Sequence, residues 1–109
     1  MESRSTHAEL LACAGRLLLE YNEATGTIER TLAATARKLT EESFETAISY
    51  GGIVVSLGDG EPVLKPVREL RYNAALQARV HSILSQVRNG AFKPAEALAQ
   101  LRRAEPERS

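Results

Sequence analysis

Few side chains in this sequence are of a type that could act as a nucleophile. The single cysteine, Cys13, lies on or beside the apolar stripe of a helical pattern, where a thiol usually acts as a small buried hydrophobe. Ser49, Ser56 and Ser85 lack the Gly-x-Ser-x-Gly context that exposes a catalytic serine at a sharp turn. The sequence therefore predicts no catalytic residue.

Metal and cofactor chemistry are not predicted either. The two histidines, His7 and His81, have no histidine or cysteine at the spacing of a zinc ligand pair. The acidic turn Gly-Asp-Gly-Glu at residues 58–61 lacks the spaced oxygen ligands and the final Glu of a calcium loop. That segment indicates a hairpin turn, and we expect no metal and no cofactor.

Three arginines and a threonine are of types that could hold an anion, although the Thr-Gly-Thr segment lacks the glycine-rich loop, lysine and preceding strand of a phosphate motif. Arg68, Arg71 and Arg79 lie close together in the sequence, and guanidinium groups bind carboxylates and phosphates through paired hydrogen bonds. Thr27 lies in a Thr-Gly-Thr segment at the start of a predicted helix, where free backbone amides favour an anion. For the arginines, a solvated charged surface is the default interpretation.

Length and composition are those of one ordinary globular domain. The 109 residues suffice for one modest core, and contents of 43% hydrophobic and 26% charged residues are not those of a disordered chain. We assign residues 1–109 to a single domain whose core covers about 7–104.

Charge and apolar runs limit the partners and the location that we expect. Fourteen basic and fourteen acidic residues balance, so no global field attracts nucleic acid or an anionic membrane. The longest apolar runs, Leu17–Leu19 and Ile53–Val55, are far shorter than the roughly 18 residues of a spanning helix. The first residues lack a signal-peptide pattern. We expect a cytoplasmic protein with no nucleic-acid partner and no direct membrane insertion.

Helical periodicity appears near both ends of the chain. Thr6 and Glu9 have the spacing of a capping box in front of apolar residues at helical spacing. Before the second helical pattern, Thr25 or Thr27 can accept hydrogen bonds from the free amides of the first turn. Gly90 suits the left-handed residue that follows a helix. The predicted helices cover about 7–21, about 26–39, Tyr72 to the Arg-Asn-Gly segment at 88–90, and Pro94 to before Pro106.

The middle of the chain carries β-branched residues, glycines and prolines in place of helical periodicity. Residues 44–49, 53–57 and 63–68 predict three short antiparallel strands joined by glycine-containing turns. Pro62 and Pro66 cannot donate ladder hydrogen bonds, so the third strand should lie at an edge or end early. The element order α-α-β-β-β-α-α predicts an α+β fold, a small antiparallel sheet of about three strands packed with about four helices.

The apolar stripes and the central strand define a predicted core. Its members occupy the repeating apolar positions of the first three helices and of the middle strand. They are Leu11, Leu18, Ile28, Leu32, Ile53, Val55, Leu76, Val80 and Leu84.

Four segments in order carry the pattern of a known family: GRLLLEYNEATGTIERTLAATARKLT, FETAISYGGIVVSLGDGEP, VRELRYNAALQARVHSIL and VRNGAFKPAEALAQL. Together they resemble the soluble N-terminal domain of the threonine/serine exporter family. There a leucine-rich helix precedes a small-residue turn with a Val-Glu or Ile-Glu pair, which Thr27, Ile28 and Glu29 match. Asn73 falls near a recurrent asparagine of the family, whereas Asn22 stands where a glycine is common.

The resemblance implies a domain that serves a membrane-embedded exporter portion or subunit outside these residues, in a regulatory or assembly role. The transported molecules would be small amino acids, or organic acids in relatives split over two chains, and an amino-acid carboxylate is the candidate ligand. The predicted ligand-binding residues are Arg68, Arg71, Asn73 and Thr27.

Two other functions stay open at this point. One is a small interaction module that forms a homo-oligomer through an exposed strand edge or helix face. The other is a hydrolase, which would need a polar pocket combining Ser49 or Thr27 with His81.

Overall fold

Apolar residues at helical spacing form four helices in the described part of the chain, and the β-branched middle forms three strands. The computed structural model describes residues 3–104. The α+β prediction and the element order are confirmed. The elements are α1 (Arg4–Glu20), α2 (Thr25–Leu39), β1 (Phe44–Ser49), β2 (Gly52–Leu57), β3 (Val63–Pro66), α3 (Ala74–Arg88) and α4 (Pro94–Arg103).

Helix α1 forms the centre of the molecule. Every residue from Leu10 to Leu18 is buried, because α1 packs against the sheet and against the other three helices. A helix that is apolar on all sides is buried in this way. Gly15 permits the close approach to β2, since a Cβ there would lie 2.4 Å from Cδ1 of Ile53.

The sheet is antiparallel with the order β1-β2-β3. Ile53, Val55 and Leu57 of the central strand are buried in the core, while the alternate residues Val54 and Ser56 lie on the outer face. Strand β3 lies at an edge and ends at Pro66, as Pro62 and Pro66 predicted. It is therefore two residues shorter than the predicted strand, which ran to Arg68.

The predicted N-terminal caps of the first two helices are wrong. Ser3, and not Thr6, caps α1: its side chain accepts a hydrogen bond from the Thr6 amide at 3.1 Å. Glu9 is paired with Lys65 of β3, so it makes a tertiary contact where a capping box was expected. Helix α2 begins after Ala24 without a side-chain cap, so neither Thr25 nor Thr27 has the predicted role.

Two residues with positive φ end helical segments. Asn22 follows α1 with a φ of 69°, and Gly90 follows α3 with a φ of 81°. Asparagine is among the few side chains that tolerate this conformation, so the turn between α1 and α2 forms without the glycine that the family commonly has there. Gly90 has the predicted terminal role, while Pro106 lies outside the described residues.

The predicted core is confirmed with one exception. Leu76 is only half-buried and packs against the margin of the core, because it lies in the first turn of α3. Tyr21 was not predicted; it is buried, and its hydroxyl donates to the Ala104 carbonyl at 3.2 Å. The other predicted members are buried: Leu11, Leu18, Ile28, Leu32, Ile53, Val55, Val80 and Leu84.

Candidate functional site

The segment between β3 and α3 carries three of the four predicted ligand-binding residues. We call this segment, residues 67–73, the connector; it has no regular secondary structure. Glu20 holds it against the end of α1. The Glu20 side chain accepts from the Arg68 amide at 2.9 Å, and the Glu20 carbonyl accepts from the Arg71 amide at 2.8 Å.

Glu20 itself belongs to a buried ion pair. Its Oε2 lies 3.1 Å from Nη1 of Arg16, one helical turn earlier, and the two side chains are only 9% and 8% exposed. Buried charges are tolerated when they are paired and hydrogen-bonded. The carboxylate of Glu20 therefore joins the buried charge of α1 to the backbone of the connector.

The predicted ligand-binding residues make local contacts. Asn73 caps α3, because its Oδ1 accepts from the Leu76 amide at 3.0 Å. Arg71 forms an ion pair with Glu69, and the Arg68 side chain is exposed.

Thr27 lies apart from the connector in the first turn of α2, where its hydroxyl accepts from Nη2 of Arg30 at 3.3 Å. Arg68, Arg71 and Asn73 thus lie on one segment, and Thr27 lies on another. Their ligand-binding role stays a prediction.

A cleft of about 400 Å³ opens between the α1–α2 turn, the β1–β2 turn and the connector. Its lining combines apolar side chains with carboxylate, amide and hydroxyl groups. Such a mixture suits a small amphipathic molecule or the apolar side chain of a partner. The residues that line it are Leu19, Asn22, Glu23, Thr25, Ile48, Ser49, Tyr50 and Leu70.

A carboxylate–imidazole pair fixes one wall of this cleft. Oε2 of Glu23 lies 3.1 Å from Nε2 of His81 on α3, and Oε1 of Glu23 accepts from the Ala24 amide at 3.3 Å. Glu23 thus holds the α1–α2 turn to α3. The arrangement positions the cleft and leaves His81 engaged with Glu23.

The hydrolase alternative gains no support from these contacts. Ser49 accepts a hydrogen bond from the Gly51 amide, and Thr27 accepts one from Arg30. Within residues 3–104, no hydrogen bond joins His81 to either hydroxyl. Cys13 is buried, and no group of three or more His, Cys, Asp or Glu side chains in this part of the chain could hold a metal ion.

A second cleft, of about 370 Å³, lies between the start of α1 and the β2–β3 turn. Arg4 lies on its wall. Nη2 of Arg4 is 2.7 Å from Oε1 of Glu42, and Nη1 of Arg4 is 3.1 Å from Oδ1 of Asp59. The hydrogen bond with Glu42, followed by the negative charge of Glu42, raises the pKa of Arg4. Because Arg4 already has two carboxylate partners, this cleft is a weaker anion site than its arginine suggests.

The chain belongs to the family described as "Putative threonine/serine exporter", whose model matches residues 9–109. This match confirms the resemblance that the sequence motifs indicated. No curated protein and no solved structure matches the chain. Across residues 3–104, the helices are too short or too polar for any of them to span a bilayer.

Sequence reasoning missed the residues that organise the site. Glu20 and Glu23 have tertiary partners 48 and 58 residues away, and local periodicity gives no signal for such pairs. One signal was available for Glu20, since Arg16 precedes it by four residues on a helix that is otherwise apolar. Tyr50 and Leu70 are missed for the same reason, because only the fold brings their two loops to one cleft.

Proposed function

We propose that this chain is the cytoplasmic N-terminal domain of a threonine/serine exporter, with a regulatory or assembly role toward a membrane-embedded portion or subunit. The family match over residues 9–109 is the observation that carries this proposal. In this proposal the transport step itself belongs to the membrane-embedded portion. The domain has no enzymatic role in this proposal.

The surface proposed to contact the membrane-embedded portion is the cleft together with the connector. Tyr50, Leu70 and Tyr72 are large apolar side chains exposed by 94%, 60% and 72%. Tyr50 and Leu70 line the cleft, and Tyr72 follows two residues later on the connector. Exposed aromatic and aliphatic groups around a concave surface are typical of binding sites.

The regulatory form of the proposal adds an amino-acid ligand. Arg68 and Arg71 supply guanidinium groups for the carboxylate of this ligand. Asn73 on the connector and Thr27 at the start of α2 are the other two proposed ligand-binding residues. A ligand of this kind can shift the exporter only by the difference in its affinity for two arrangements of the assembly. Small amino acids are the candidates because they are what the family name gives as cargo.

The test of the assembly role uses the domain together with the membrane-embedded portion in liposomes. We expect Leu70→Asp to weaken copurification of the two parts and to lower threonine export, because it places a charge in the contact surface. Leu64→Asp is the matched control, since Leu64 is exposed to a similar degree on the outer face of the sheet. Equal effects of the two substitutions, or no effect of Leu70→Asp, would contradict the proposed surface.

A further inference from the structure

The two edges of the sheet differ in the backbone groups that they present. The Gly58 amide donates to the Ser43 carbonyl at 2.8 Å, in the same register as the β1–β2 pairs. Hydrogen-bonded pairs alternate along an antiparallel ladder. The residues of β1 that bond β2 are therefore Glu45, Ala47 and Ser49. The amides and carbonyls of the intervening Phe44, Thr46 and Ile48 point away from β2, at the free edge.

The opposite edge, on β3, is blocked by its sequence. The Val67 amide donates to the Gly51 carbonyl at 2.9 Å, and the same alternation directs Pro62, Leu64 and Pro66 outward. Two of these three residues have no amide to donate. Proline at an edge is a common protection against pairing with another chain, and β1 has no such residue.

We propose that the free edge of β1 pairs antiparallel with β1 of a second copy of this chain, joining two sheets of three strands. In this pairing the outward-pointing residues of the two strands hydrogen-bond to each other, and a two-fold axis passes at Thr46. Thr46 then lies opposite Thr46 of the partner copy, and Phe44 lies opposite Ile48 of the partner copy. Phe44 and Ile48 are only half-buried in one chain, so this aromatic and β-branched pair gains burial.

Charge and shape on the outer face fit the same register. Glu45 is the one charged residue of β1. In the two-fold pairing it lies opposite Ala47 of the second copy, and the two Glu45 side chains do not face each other. Like charges directly opposite would destabilise the pair. A depression of about 210 Å³ lies here, lined in part by Glu45, Ala47 and Val54, and the small Ala47 leaves room for the opposing Glu45 side chain.

The size of this contact determines the assay. One added strand pair buries less than the roughly 1,200–2,000 Å² of stable complexes, so the association is reversible and depends on concentration. Sedimentation equilibrium of the purified domain over a concentration series extending to the millimolar range should show a monomer–dimer equilibrium. A monomer throughout that range would overturn the proposal.

Two substitutions at one exposed position test the register. Ala47→Lys places an opposite charge against each Glu45 of the other copy, whereas Ala47→Glu places a like charge there. With two such pairs per dimer, we expect the dissociation constant to fall for Ala47→Lys and to rise for Ala47→Glu, each by roughly 2- to 30-fold. Changes in the same direction for both variants would overturn the assigned register.

Disulfide trapping provides an independent check in a Cys13→Ala background, which removes the one native thiol of the chain. In the proposed pairing, the Cα atoms of Glu45 and Ala47 of the other copy lie about 4.5 Å apart, within the about 4.4–6.8 Å that a disulfide spans. A mixture of Glu45→Cys and Ala47→Cys proteins should cross-link more than either protein alone. Lower cross-linking when Leu64→Cys replaces Ala47→Cys would support the β1 edge, and equal cross-linking would contradict it.

Discussion

Replacing Glu20 by alanine should destabilise this domain more than most single substitutions. Its carboxylate is paired with Arg16 at 3.1 Å in a buried site, and it accepts from the Arg68 amide at 2.9 Å. Breaking a buried ion pair costs about 3–5 kcal/mol, and a hydrogen bond to a charged group contributes about 1.5–3 kcal/mol. Both contributions belong to one carboxylate and are not additive. We expect a total loss of about 3–5 kcal/mol, a large part of the roughly 5–15 kcal/mol typical of a domain.

Urea unfolding of four proteins measures this effect: the wild type, Glu20→Ala, Glu20→Gln and Glu29→Ala. Glutamine keeps an acceptor for the Arg68 amide but loses the charge, so Glu20→Gln should be less destabilising than Glu20→Ala. Glu29 is exposed on α2, and its replacement should change stability by less than about 0.5 kcal/mol.

Hydrogen exchange then separates the two roles of Glu20. Under native conditions the Arg68 amide should lose its protection in Glu20→Ala and keep part of it in Glu20→Gln. A loss of stability below about 1 kcal/mol for Glu20→Ala would refute the buried-pair argument. Unchanged exchange at Arg68 in that variant would refute the role of Glu20 in holding the connector.

Two further predictions concern helix starts and the amino-acid ligand. Asn73→Ala removes a side-chain cap and should cost about 0.5–2 kcal/mol, whereas Thr27→Ala removes none and should cost less than about 0.5 kcal/mol in thermal unfolding. In calorimetry with threonine, the double variant Arg68→Ala, Arg71→Ala should bind about tenfold more weakly or worse, while Arg37→Ala, an exposed arginine on α2, should bind like the wild type. Absence of binding by the wild type would remove the ligand from the proposal and leave the assembly role.

The fold could be predicted from the sequence because its signals are local. Apolar residues recur at helical spacing around Leu32 and Leu84, and the β-branched middle lacks that period, so element types follow from neighbouring residues. Pro62 and Pro66 identified the edge strand, because a residue without a backbone amide cannot donate a ladder hydrogen bond to a neighbouring strand. The half-buried Leu76 shows where this reasoning ends, since helical spacing does not reveal how far a helix end extends beyond its neighbours.

The candidate site could be predicted only in part. Arg68, Arg71 and Asn73 are near neighbours in the sequence, and they lie on one connector. The contact that holds this connector comes from Glu20, which is distant in sequence. The capping box predicted at Thr6 and Glu9 fails for the same reason. Both residues have the correct spacing, but Ser3 caps the helix and Glu9 pairs with Lys65 of β3, which is distant in sequence.

The contacts at the end of α1 determine how a partner could use the connector. Glu20 holds the connector, the Tyr21 carbonyl accepts from Nε2 of Gln77 at 3.3 Å, and Glu23 holds His81. These three attachments lie within residues 20–23, at the end of α1 and in the turn that follows it. A partner that displaced the connector would have to break the bonds of Glu20 and would spend binding energy on that step. A partner that accepts the connector in its present position avoids this cost, so the cleft with Leu70 at its wall is better suited to rigid docking than to a moving lid.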